Sequence, residues 1–88
     1  MHLKEGYVLR ELGDDAIVIG EGLTVDFQRL VSLNSSAAYL WKQVEGREFD
    51  VQTLTDLLLD EYEVERSAAE EAATERAQAW IRAGIAEA

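Results

Sequence analysis

Apolar and polar residues along this chain change period near residue 34. Before it they come in short runs or alternate, the period of a strand; after it they recur every three or four positions, the period of a helix. Tyr7-Val8-Leu9-Arg10-Glu11-Leu12 predicts a first strand, and Gly13-Asp14-Asp15 a hairpin turn. Ala16-Ile17-Val18-Ile19 is a β-branched run that predicts a second strand, broken by Gly20-Glu21-Gly22. A third is predicted over Val25–Leu33, with Val25, Phe27, Val31 and Leu33 apolar and Asp26, Gln28 and Ser32 polar. Arg29 and Leu30 interrupt that alternation, which indicates a bulge or an exposed Leu30 with a use.

The helical half opens at Asn34, whose side-chain carbonyl can accept a bond from a free N–H of the first turn. A first helix is predicted from about Ser35 to Glu45, with Leu40, Trp41 and Val44 on its apolar face and Gly46 as its stop. The second helix has Asp50 at its cap, with Phe49 before it and Leu54 after it at the spacing of a hydrophobic staple. Leu54, Leu57, Leu58 and Tyr62 are its expected buried face, and Val64 is expected to plug the core from the next connection. The third helix is predicted from about Arg66 to Ala83, with Ala69, Ala73, Ala77, Trp80 and Ile81 as its stripe, Gly84 as its stop and Ile85 beyond. Alanines favour the helix but bury little area, so either another element comes close there or a groove remains. The expected architecture is α+β: three N-terminal antiparallel strands followed by three helices, in the order of a winged helix-turn-helix.

Length makes this a single domain, residues 1–88, and 48% hydrophobic with 30% charged residues is the composition of a globular chain. With no cysteine, zinc–thiolate sites, disulfides and thiol catalysis are excluded. Neither a signal-peptide core nor a membrane-length apolar run occurs, so the expected location is cytoplasmic, away from any membrane. The net charge is −10 and uneven: residues 1–44 hold six acids and four bases, residues 45–88 twelve acids and four bases. Such a field repels phosphate backbones and lipid headgroups and favours basic or neutral partners.

Catalytic chemistry finds no support. His2, beside an unanchored terminus, reads as an exposed, inert residue, and Ser35 and Ser36 read as helix-capping residues without a base partner. Asp60, Glu61, Glu63 and Glu65 lack the ligand spacing and central glycine of a calcium loop, and no glycine-rich phosphate loop exists. The chain is therefore expected not to be an enzyme and to carry no cofactor. DNA binding through the helix-turn-helix pair is disfavoured: the second helix has Asp56, Asp60 and Glu61 and no base, and the third mixes Glu70, Glu71 and Glu75 with Arg66, Arg76 and Arg82. Binding of a protein or peptide partner remains. An unpaired edge of the third strand can accept an added strand, and the alanine-faced turns of the third helix can line such a site. Equally, loops can cover that edge, or it can pair with a second copy in a homodimer.

Leu33-Asn34-Ser35-Ser36-Ala37-Ala38-Tyr39-Leu40-Trp41, then Gly46, Leu54, Leu57, Leu58, Tyr62-Glu63-Val64 and Gly84-Ile85, resembles the PqqD-like family, relatives of pyrroloquinoline quinone synthesis protein D. The likeness spans about residues 3–86. It implies a winged helix-turn-helix fold that no longer reads DNA, acting as the recognition element for ribosomally made, post-translationally modified peptides. The leader of a precursor peptide would be held as an extra strand against the third strand, facing the third helix, and presented to a modifying enzyme, often a radical S-adenosylmethionine (radical SAM) protein. On that reading the backbone of Phe27, Gln28, Arg29, Leu30, Val31 and Ser32 pairs with the guest. Side chains of Leu30, Ala69, Ala73, Arg76, Ala77 and Trp80 shape its pockets.

Overall fold

The computed structural model describes residues 1–20 and 31–88. Along those residues the elements are β1 (His2–Leu3), β2 (Tyr7–Leu12), β3 (Asp15–Gly20), β4 (Val31–Leu33), α1 (Ser35–Val44), α2 (Val51–Glu61), α3 (Arg66–Arg82) and β5 (Ala86–Glu87). The first two predicted strands are β2 and β3, joined through Gly13 at a φ of +66°, which glycine adopts without the penalty a side chain would bring. Of the third predicted strand, Val31–Leu33 is β4, and residues 21–30 lie outside the described residues. The order β2-β3-β4 is antiparallel throughout, so among the described residues β4 sits at an edge of the sheet. Register decides the faces. Val18 pairs with Leu9 on one side and Val31 on the other, turning all three toward the core; Ile17 lies between Arg10 and Ser32 on the opposite face.

Asn34 links sheet to helices as its sequence position suggests. Its Oδ1 accepts the Ala37 N–H at 2.9 Å and the Ser36 hydroxyl at 3.0 Å, satisfying a donor that the first turn of α1 would otherwise leave free. Asp50 opens α2 with a reciprocal box: its Oδ1 accepts the Thr53 N–H at 2.8 Å, and its own N–H donates to Thr53 Oγ1 at 3.4 Å. The core between sheet and helices is filled by Leu33, Leu40, Trp41, Val44, Phe49, Leu54, Leu58, Trp80 and Ile85, with Ala69, Ala73 and Ala77 completing it from α3. At its centre Trp80 meets Trp41 and Phe49 edge to face, with centroids 5.6 and 6.2 Å apart. Both alternatives for the alanine stripe occur along one helix. The inward alanines are fully buried against α2, where small side chains let two helices approach closely.

Three expectations fail for identifiable reasons. The N-terminus is anchored: His2 and Leu3 pair with Glu87 and Ala86, the Phe49 N–H donates to the Met1 carbonyl at 2.8 Å, and Lys4 N–H to the Ile85 carbonyl at 3.0 Å. His2 is accordingly held rather than free, its Nδ1 3.1 Å from Glu48 and its Nε2 3.4 Å from Glu87. Two-residue strands from opposite ends of a chain leave no local periodicity to read. Ile81 is 41% exposed because it lies one residue beyond Trp80, about 100° further round the helix. Tyr62 and Val64 are exposed as well: Tyr62 is the C-cap of α2 with an extended backbone, so the helical spacing that would align it with Leu58 has already ended. Inside α2 a buried position is instead taken by Thr55, whose hydroxyl donates to the Val51 carbonyl at 2.8 Å.

Candidate functional site

Two features are linked along the chain by the start of α1: the strand β4 and an apolar groove among the helices. The groove, about 320 Å³, is lined by Ser36, Leu58, Tyr62, Val64, Ala68, Ala69 and Ala72. Each side follows from local structure. Ser36 stands in the first turn of α1, placed by the Asn34 cap that ends β4. Leu58 and Tyr62 come from the C-terminal end of α2, and Val64 from the connection that follows. Ala68 and Ala72 form one ridge of α3, a turn apart, so their short side chains leave space where longer ones would close it.

The residues expected from the sequence separate into three sets. Phe27, Gln28, Arg29 and Leu30 lie outside the described residues. Val31 is half-buried on the core face of β4, and Ser32 is exposed on the other face. From α3, Ala69 forms the floor of the groove and Arg76 is half-buried, whereas Ala73, Ala77 and Trp80 are core residues with 2% exposure or less. These last three shape the site only by setting where α3 lies. The groove walls that sequence reasoning missed are Ala68 and Ala72, one position before the buried alanines, with Tyr62, Val64 and Ser36. A signal existed, since alanine occupies both ridges of α3, but only packing shows which ridge faces inward.

Tyr39 of α1 packs edge to face on Tyr62, centroids 6.1 Å apart. Its phenol is pushed above the usual tyrosine pKa, first by burial and then by the negative charges of Glu61 and Asp60. The rim of the site is thus acidic around an apolar interior. What the arrangement offers chemically is a strand edge, a recess for an apolar side chain, and carboxylates at its border. Among the described residues no group of three or more His, Asp or Glu is placed to hold a metal ion, and no helix is long and apolar enough to cross a membrane.

Comparison with known proteins gives two findings. The family model of coenzyme PQQ synthesis protein D (PqqD) matches residues 17–86. The fold is similar to that of a solved structure, TbiB1 in complex with the TbiA(beta) leader peptide, with a TM-score of 0.74 at 16% identity, covering 97% of this chain and 93% of that one. No curated protein matches in sequence.

Proposed function

This chain belongs to the family of coenzyme PQQ synthesis protein D, and from that footing we propose that it is a non-catalytic peptide chaperone. It binds the leader of a ribosomally made precursor peptide as an added strand and presents it to a modifying enzyme of the radical SAM class. The observation that carries the reading is the position of β4: among the described residues it is an edge strand with β3 as its one neighbour, and an apolar groove begins three residues beyond its end at Ser36. Strand addition draws affinity from main-chain hydrogen bonds and specificity from the pockets that alternate side chains meet. That division suits a carrier of one leader whose attached core must remain free for chemistry. Val31 and Ser32 supply backbone from β4, and Phe27 to Leu30 extend the proposed pairing segment upstream. Ala69 and Arg76 are its contacts on α3, while Ala73, Ala77 and Trp80 hold that helix in place. The likeness in fold to a leader-bound protein supports the same reading.

Amide NMR of labelled protein titrated with the leader peptide encoded beside its gene tests this directly. Shifts concentrated at Val31, Ser32 and the groove residues are expected. Shifts scattered over the surface, or none at millimolar peptide, would refute it.

A further inference from the structure

The groove has a chemistry narrower than strand pairing requires. Apart from Ser36 its lining is apolar, with Leu58 and the alanines of α3 inside and Tyr62 and Val64 at the mouth. Its border is not. Asp60, Glu61, Glu63 and Glu65 flank Tyr62 and Val64 along the chain and are all exposed. On α3, Glu65 and Glu71 lie three residues either side of Ala68, and Glu75 three beyond Ala72, which places each within a turn of the groove wall. Between Asp60 and Arg76 the opposing charges are Arg66 and Arg76, against seven carboxylates: Asp60, Glu61, Glu63, Glu65, Glu70, Glu71 and Glu75. The carboxylate field reaches the aromatic pair at the mouth, where Glu61 and Asp60 act on the Tyr39 phenol. Repulsion among so many exposed carboxylates is relieved when cations of a ligand settle between them, and an acidic ring around an apolar recess matches a side chain that is apolar with basic neighbours.

We infer that the groove between α1, α2 and α3 selects a leader segment in which an aliphatic or aromatic anchor residue is flanked by lysine or arginine. This rests on the leader-binding reading and adds to it a second point of recognition, distinct from main-chain pairing at β4. The strand edge accepts any extended peptide; the groove and its rim choose among them. The carboxylates act on encounter rate and on discrimination against acidic peptides, while the anchor in the recess governs residence.

Three short fluorescein-labelled peptides of one Thr/Val-rich background test it by anisotropy, with amide NMR run alongside. One carries a leucine between lysines, one a leucine between glutamates, one a serine between lysines. At low salt the Leu/Lys peptide is expected to bind about tenfold tighter than either of the others, and its advantage over the Leu/Glu peptide should shrink as salt rises. Glu61→Lys combined with Glu65→Lys should reverse the order of the two leucine peptides. Ala72→Trp, a substitution at an exposed position, should fill the groove and abolish the preference for leucine over serine. Equal affinity for all three peptides, with Val31 and Ser32 amides shifting in each case, overturns the inference while leader binding at β4 stands. If no peptide shifts those amides, the leader-binding reading falls and this inference with it.

Discussion

Replacing Trp80 with alanine tests whether this residue belongs to the core or to the peptide site. Trp80 is 1% exposed and meets Trp41 and Phe49 edge to face. A buried tryptophan removes roughly 150–250 Å² from water, which at about 25 cal/mol per Å² is about 4–6 kcal/mol. Measured truncations of this kind cost about 3–5 kcal/mol. A chain of 88 residues has a total stability of about 4–13 kcal/mol. A loss of about 4 kcal/mol is therefore a large part of the whole and should lower Tm by about 20 °C. Urea and thermal denaturation followed by circular dichroism, with Trp41 fluorescence as a second probe, will measure it. Peptide binding, assayed well below the lowered transition, should be nearly unchanged. A variant that loses less than about 1 kcal/mol but no longer binds leader peptide would refute this reasoning and put the indole in direct contact with the guest. Trp80→Phe sharpens the comparison. It keeps an aromatic edge for Trp41 and deletes an indole N–H that, like that of Trp41, is buried without a hydrogen-bond partner among the described residues. Relief of that unpaired donor offsets part of the lost area, so the phenylalanine variant should retain most of the stability that alanine loses. In a double-mutant cycle, Trp41 and Trp80 should couple by about 0.5–1.5 kcal/mol.

Asn34→Ala removes the acceptor for the Ala37 N–H and should cost about 1 kcal/mol in urea denaturation, while Asn34→Ser should recover most of it. Asp50 has a lowered pKa, chiefly because it accepts the Thr53 N–H. A depressed folded-state value means its contribution is complete above the unfolded pKa, about 3.9 for an aspartate, and is lost as pH falls through the folded one. Stability should therefore decline on acidification below about pH 4, and Asp50→Asn should flatten that part of the urea-midpoint profile. In a gel shift at low salt, where phosphate attraction is greatest, duplex DNA should run unretarded because α2 offers carboxylates and no base; clear retention would favour a DNA-binding regulator instead. Light scattering after size exclusion should give a monomer that stays monomeric with leader bound, and a dimer that peptide dissociates would mean that β4 pairs with its own copy.

Local chemistry alone determined much of this fold. The turn at Gly13, the caps at Asn34 and Asp50, and the stop at Gly84 each depend on a few adjacent residues, so their meaning survives without the rest of the molecule. The stripe Ala69, Ala73, Ala77 and Trp80 was legible for the same reason, since helical period places those positions on one face whatever they pack against. The family likeness was also carried by sequence, in the order and spacing of Leu33, Asn34, Trp41 and the residues after them. Tertiary structure decided the rest. The ribbon of β1 with β5 pairs His2 with Glu87 and Leu3 with Ala86, residues from opposite ends of the chain, a pairing that no local pattern encodes. Which alanines line a groove and which fill the core depended on where α2 lies against α3. Period identifies faces but not their partners, so Ala73, Ala77 and Trp80 moved from the expected binding surface into the core, and Ala68 and Ala72 took their place at the groove. Tyr62 and Val64 changed roles in the opposite direction: apolar residues expected inside stand at the mouth of the groove, because α2 ends before its stripe reaches them.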